Sequence, residues 1–350
     1  MNSHKLGLAI IGYGGMGEWH ARTLSTIPEL ELRGVYDIDR TRNEEAHKAG
    51  LHVYASLGDV LDDPAVKAVT VATPNDVHLP IANKAMNAGR HVICEKPAAL
   101  NSGQLAEMLA CAEKNGVLFT VHQNRRWDED FLAAKDMCER NTLGDVFNIE
   151  SRVHGSRGIP GDWRNKKEHG GGMVLDWGVH LIDQLLILLK GKKLQTVYAQ
   201  LSYVTNEVVE DGFRAIFHFS GGPDCLVEVG TSNFIGLPRW YIQGQNGTAV
   251  IRDWDMSGEI VMVSDWEKRD VVPVATAAGL TKTMAPRTEE TIQRYPLPKI
   301  HSDIRDYYRN VYDAVLHDAE LIVKPSEVMR VMQVMEAIFE SVALGQAVSL

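Results

Sequence analysis

Residues 6–11, LGLAII, form an unbroken apolar run that stops at Gly12-Tyr13-Gly14-Gly15-Met16-Gly17, after which a helical pattern begins. A chain that gives up side chains where a strand turns into a helix either makes a tight turn or lets something lie against bare backbone. Gly12, Gly14 and Gly17 form G-x-G-x-x-G. In a strand–turn–helix context the first glycine permits the turn and the second lets a pyrophosphate touch backbone N–H groups. The third lets helix and strand pack closely. Asp37 ends the next strand, twenty residues past Gly17. An acid there accepts hydrogen bonds from the adenosine ribose and repels a 2′-phosphate, which favours NAD over NADP. Arg40 and Arg42 soften that preference, so NADP stays open. A structural turn without a ligand and a methyltransferase loop are the rival readings.

The first 120 or so residues alternate strand and helix. Strands are expected at 6–11, 31–37, 68–73, 90–95 and 117–121, as near-continuous apolar runs suited to buried parallel strands. NSGQLAEMLACAEKNG reads as a helix with Leu105, Met108, Leu109 and Ala112 on one face and Gly116 as its stop. This grammar predicts an α/β fold whose N-terminal domain, residues 1–122, is a doubly wound parallel sheet. Beyond residue 122 the pattern changes. DVFNIESRVH alternates, with Phe147, Ile149 and Val153 on one face and Glu150, Arg152 and His154 on the other. GFRAIFHFS, CLVEVGTS and RWYIQGQ read as further strands, and SGGPD and QNGT as hairpin turns, with Asn246-Gly247 suited to positive backbone angles. Residues 123–350 are thus expected to form an α+β domain with a large, mostly antiparallel open sheet. Its long helices are predicted over 171–190, 303–317 and 326–344. The segment 273–300, with four prolines, is expected to be an ordered excursion near a site or interface.

A net charge of -10 argues against nucleic acid or an anionic membrane surface as the partner. No apolar run approaches the roughly 20 residues that span a bilayer, so no membrane association is expected. The early apolar stretch is too short for a signal-peptide core. Cys94, Cys111, Cys138 and Cys225 are scattered without metal or redox spacing, which points to free thiols and a cytoplasmic location.

Two further segments carry chemistry. Thr73, Asn75 and His78 in ATPNDVH stand where a parallel strand ends, on the ligand-binding side of such sheets. Lys96 in CEKP emerges from the next strand, and Pro97 restricts it, with a cis bond open at that position. A partly dry lysine beside a nicotinamide has a lowered pKa and assists proton transfer from an alcohol. The bland alternative is a surface pair between Glu95 and Lys96. In GGGMVLDWGVHLIDQLLILL, Asp176 and His180 are four residues apart and Asp183 lies on the same stripe, opposite Val174, Leu175, Ile182, Leu185 and Leu186. An Asp–His proton-transfer pair and a satisfied core hydrogen bond compete as readings. A metal site stands behind both, with His154 and His169 as the remaining ligands in view. We expect no metal. Gly170–Gly172 could let a substrate or a neighbouring chain approach the helix start.

Taken together, GYGGMG, ATPNDVH, CEKP, NRRW, DWR, GGGMVLDWGVHLID and ESVALGQAVSL resemble the glucose–fructose oxidoreductase / inositol dehydrogenase / MocA family, nearly end to end. The resemblance implies a Rossmann domain followed by an α/β domain whose open sheet serves oligomerisation, here a homodimer or homotetramer. It also implies hydride exchange between NAD and a sugar, glycoside or inositol-like cyclitol hydroxyl. Catalytic roles fall on Lys96, Asp176 and His180; whether Lys96 or His180 is the base stays open. Substrate contacts fall on those three and on Arg125, His154, Trp163 and Arg164; Trp127 and Trp163 could stack on a sugar ring. Cofactor contacts are expected at Gly12, Tyr13, Gly14, Gly15, Met16, Gly17, Asp37, Ile38, Arg40, Ala72, Thr73, Pro74, Asn75, His78, Glu95, Lys96, Pro97 and Asn124. Two other functions are weighed: glycoside cleavage through transient oxidation, and a non-catalytic dinucleotide sensor.

Overall fold

The computed structural model describes residues 5–268, 273–282 and 284–350. Five strands, β1 (Leu6–Ile11), β2 (Leu30–Tyr36), β3 (Ala68–Val71), β4 (His91–Cys94) and β5 (Phe119–Val121), form one sheet in the order β2-β1-β3-β4-β5. Every neighbouring pair is parallel, as near-continuous apolar strands require when both faces are covered. The expected strands are all present. Helix Ser102–Asn115 also follows its pattern: Leu105, Met108 and Ala112 are buried, and Gly116 ends it at φ 62°. The left-handed backbone there is the usual reason for a glycine stop.

The second sheet has nine strands: β6 (Val146–His154), β7 (Lys193–Ser202), β8 (Gly212–Ser220), β9 (Asp224–Gly230), β10 (Trp240–Gly244), β11 (Gly247–Ile251), β12 (Gly258–Val263), β15 (Ile292–Tyr295) and β16 (Val348–Ser349). Their order is β15-β12-β11-β10-β6-β9-β8-β7-β16, and only β6–β9 is parallel. The excursion after β12 holds a two-stranded hairpin, β13 (Val274–Thr276) and β14 (Gly279–Thr281), and then the edge strand β15.

Three local expectations fail for identifiable reasons. Phe147 is 56% exposed rather than facing the core with Ile149. It is the unpaired residue of a bulge, because Gln243 pairs with Asn148 and Gly244 with Val146, and a bulge re-aims the side chain. The β10–β11 loop is Gln245-Asn246, one residue earlier than expected, and no residue in it has a positive φ. Gly247 instead answers a close approach: a Cβ there would stand 2.6 Å from the Val261 carbonyl oxygen. Finally, the stretch Lys167–Leu188 contains an 18-residue window of mean hydropathy 1.2, long and apolar enough to cross a bilayer, but 78% of that window is buried. It is a core element. Helix Pro325–Leu344 packs on β7, on helix Ser102–Asn115 and on helix Val179–Leu188, and so ties the two sheets together.

Candidate active site

The glycine turn separates into two kinds of glycine. A Cβ on Gly12 would lie 2.4 Å from the Ala72 carbonyl oxygen, and one on Gly17 would lie 2.0 Å from the Gly12 carbonyl oxygen. Gly12 also has φ 95°. These two are required by the turn and by helix–strand packing. Gly14 and Gly15 differ, since a Cβ on either meets nothing within 4 Å. Both line a cavity of about 980 Å³ along the carboxyl ends of the parallel strands, where the Gly15–Leu24 helix begins. Bare backbone at a helix N-terminus fits a pyrophosphate. Asp37 closes the end of β2 and lines the same cavity. Its carboxylate accepts from Tyr13 N at 2.6 Å and from Asp39 N at 2.8 Å, which fixes it beside the turn.

At the other end Lys96 leaves β4 through a cis bond to Pro97. Its Nζ donates to the carboxylate and to the backbone carbonyl of Asp176, each at 3.0 Å. Arg164 Nε reaches the second Asp176 oxygen at 3.2 Å. Burial alone would raise the Asp176 carboxyl, but the charges of Lys96 and Arg164 outweigh it and hold it below the usual range. A second cavity of about 610 Å³, lined by Arg125, His154, Asp176, Trp177 and His180 among others, adjoins the first. Met16, Glu95, Lys96 and Arg164 line both, so they mark the junction.

The protein-family comparison matches residues 6–123 to an oxidoreductase family with an NAD-binding Rossmann fold, and residues 131–250 to the GFO/IDH/MocA C-terminal domain. An uncharacterised oxidoreductase of Escherichia coli, YdgJ, is 30% identical over 97% of each chain. The chain belongs to the GFO/IDH/MocA family of oxidoreductases. Its cofactor is therefore a nicotinamide dinucleotide. A crystal structure described as an NAD-binding protein from Listeria innocua is 46% identical, covers 99% of both chains and superposes with a TM-score of 0.95. The NADP⁺-dependent scyllo-inositol 2-dehydrogenase of Bacillus subtilis is 26% identical over 95% of this chain and 93% of its own. NAD and NADP therefore both occur in the company of this GFO/IDH/MocA oxidoreductase.

Several of the expected contacts sit elsewhere in this oxidoreductase. Of the cofactor set, Gly12, Gly14, Gly15, Met16, Asp37, Ile38, Ala72, Thr73, Pro74, Asn75, Glu95 and Lys96 line the larger cavity. Tyr13 is in the core. Arg40 points to solvent and pairs with Glu44, whereas Arg42 lines the cavity in its place. His78 is buried between Thr73 O at 2.9 Å and Pro97 O at 3.0 Å and, as a neutral ring, donates to one of them; neither His78 nor Pro97 lines the cavity. Asn124 lines the smaller cavity instead. Of the substrate set, Arg125, His154, Arg164, Asp176 and His180 line the smaller cavity; Trp163 lines the larger one, beside Asp162.

The expected Asp176–His180 pair does not form. A π-helical turn, Val174–Gly178, precedes helix Val179–Leu188 and changes the spacing on which an i,i+4 stack depends. The Asp176 oxygens are taken by Lys96 and Arg164, while His180 Nδ1 is buried without a partner. Burial, then the charges of Lys96 and Arg125, drives the His180 imidazole well below its usual pKa, so it is neutral at pH 7. Asp183 belongs to neither cavity; it holds Arg126 bidentately at 2.6 and 2.8 Å. His169 stands against Asp76 at 3.0 Å and does not converge on this site. Gly170–Gly172 accommodate the protein's own atoms, Leu100, the Arg164 carbonyl and the Glu210 carboxylate, rather than a ligand. Trp127 packs on Tyr307. The rings that line the smaller cavity are Trp177 and Trp254, stacked at 5.9 Å with Arg125 4.2 Å above Trp177. Trp177 stood in plain view beside Asp176; Trp254 lies in the β11–β12 connection and gave no sequence signal.

Proposed function

We propose that this oxidoreductase oxidises a ring hydroxyl of a sugar, glycoside or inositol-like cyclitol, or reduces the corresponding ketone. The observation that carries the reading is the junction. The dinucleotide cavity opens into a second cavity at Lys96, and that cavity is lined by a neutral imidazole, two tryptophans and several polar side chains. Gly14, Gly15 and Asp37 would hold a dinucleotide whose nicotinamide would supply the hydride acceptor for the carbinol carbon. Asp176 orients Lys96 with two acceptors, and the Lys96 ammonium polarises the substrate oxygen. His180, uncharged and without a hydrogen bond on Nδ1, accepts the hydroxyl proton and returns it in the reverse direction. Trp177 and Trp254 offer apolar faces to a sugar or cyclitol ring, and Arg125, His154 and Asn124 offer donors and acceptors to its hydroxyls. The relationship to a scyllo-inositol dehydrogenase supports a polyol class.

The exposed face of the nine-stranded sheet carries apolar cross-strand neighbours, Tyr198 opposite Ile216, which supports association of two or four copies through that face. The deciding experiment for the activity is a screen of NAD⁺ and NADP⁺ reduction over inositols, aldoses and glycosides. At least one polyol yields reduced cofactor, and Lys96→Met and His180→Asn each lower that turnover about a hundredfold or more. A panel without any reduced cofactor, or near-normal turnover in both variants, contradicts the proposal.

A further inference from the structure

Glu95 and Lys96 are adjacent but face opposite ways. Lys96 reaches out to Asp176, while the Glu95 carboxylate, 6% exposed, turns into a buried polar cluster. His20 from helix Gly15–Leu24 brings Nε2 to 2.9 Å from Glu95 Oε1, and His122 just past β5 brings Nδ1 to 2.8 Å from the same oxygen. The Tyr308 hydroxyl, on helix Arg305–His317, lies 2.6 Å from His20 Nδ1 and 3.4 Å from His122 Nε2. Glu95 Oε2 accepts from Lys96 N at 3.1 Å. The cluster therefore has two sides. Both imidazoles gather on Oε1, and the other oxygen faces Lys96 and the junction of the cavities.

Among the described residues, His20, Glu95 and His122 form the one group whose ligand atoms lie close enough together, within 4.8 Å, for a metal ion. The geometry reads as hydrogen bonding. Two ring nitrogens aim at a single oxygen at donor–acceptor distance, and a hydroxyl already occupies the remaining nitrogen of His20. Burial opposes a charge on Glu95, but His122 and His20 outweigh it and hold the carboxyl well below its usual range; burial keeps His20 neutral.

Glu95, Lys96 and Arg164 are the charged side chains that line both cavities. Lys96 and Arg164 are matched by Asp176 and Asp162. The Glu95 carboxylate has His20 and His122 as its partners, and among the described residues no lysine or arginine side chain pairs with it. A fixed anion at that place distinguishes the two redox states of the cofactor, because the oxidised nicotinamide ring carries a positive charge and the reduced ring carries none.

We propose that Glu95 is a resident counter-charge for the oxidised nicotinamide, favouring NAD⁺ over NADH, and that His20, His122 and Tyr308 act as positioning residues that hold its carboxylate at the junction. The inference rests on the dinucleotide assignment and not on the identity of the substrate. Opposite unit charges about 6 Å apart at an effective dielectric near 20 change an equilibrium by roughly a hundredfold, and partial screening by the imidazoles reduces this to about tenfold.

The test is equilibrium binding of NAD⁺, NADH and benzamide adenine dinucleotide, an uncharged analogue of the oxidised ring, to the full chain. Wild type should hold NAD⁺ about tenfold more tightly than the uncharged analogue. Glu95→Gln should weaken NAD⁺ about tenfold while NADH changes less than about threefold, and Glu95→Asp should keep the wild-type preference. Should Glu95→Gln fail to fold, the wild-type comparison of NAD⁺ with the analogue still decides. Equal affinities for those two ligands, or equal losses of NAD⁺ and NADH in Glu95→Gln, overturn the proposal. So does one tightly bound metal ion per purified chain, since the cluster would then be cationic. A wild type that binds no dinucleotide would instead remove the cofactor assignment underneath.

Discussion

Along the larger cavity the chain offers bare backbone at Gly14 and Gly15, a helix N-terminus and the fixed carboxylate of Asp37. Along the smaller one it offers side chains: His180, Arg125, His154, Trp177 and Trp254. The two share Lys96. The first region suits a ligand part that is the same in every dinucleotide, so a few local residues suffice. On the proposed function the second takes the substrate, and its residues come from several distant segments of the chain. The contrast teaches which changes should damage which function.

The largest expected effect is at Lys96, one of the four residues that line both cavities. Lys96→Met should lower turnover by about 10³- to 10⁴-fold, since it removes the polarising ammonium, while the protein stays folded and the adenosine half of the cofactor keeps its contacts. Steady-state kinetics alongside dinucleotide titration checks this; a parallel loss of both would erase the distinction between the cavities. Next come the two kinds of glycine. Gly17→Val drives a side chain into the Gly12 carbonyl and should cost about 3 kcal/mol or more of stability. Gly14→Val meets open space and should leave the melting temperature nearly unchanged, yet weaken the dinucleotide at least about tenfold. Thermal melts and titrations of both variants sharpen the comparison, and equal effects on stability would break it.

A smaller effect comes from pH. The folded-state pKa values of His20, His78 and His180 are all lowered, chiefly by burial. Each imidazole binds its proton more readily in the unfolded chain, so the stability it contributes is complete above about pH 6.5 and declines as pH falls below that value. The decline continues toward the lowered folded values, at no more than about 1.4 kcal/mol per group and pH unit. Melts between pH 7.5 and 5 should show the loss, and a flat profile would contradict neutral burial of these rings. The smallest effect is at the rim. Trp254→Ala should raise KM for a polyol by about three- to tenfold, with dinucleotide affinity unaltered.

Both sheets were legible in the sequence, because apolar runs and alternation report burial directly. The separate roles of Gly12, Gly14 and Gly17 were legible in the G-x-G-x-x-G spacing, but that Gly15 stands in open space beside Gly14 needs neighbouring atoms. The sequence singled out Lys96, Asp176 and His180, and all three line the smaller cavity, but their pairing differs from the one expected. The i,i+4 argument assumes an α-helical turn, and the π-turn at Val174–Gly178 gives Asp176 to Lys96 instead. Trp254, His20 and Tyr308 stayed hidden because nothing local marks a residue whose role depends on a contact hundreds of positions away, such as His20 with Tyr308.

The most direct measurement is a crystal structure with NAD⁺ and a polyol that reduces it slowly. The account predicts the nicotinamide ring at the junction of the two cavities, with the reacting carbon roughly 3.5 Å from the ring and its hydroxyl oxygen within reach of both Lys96 Nζ and the His180 imidazole. A nicotinamide turned away from Lys96, or a polyol bound outside the cavity lined by His180, would contradict it.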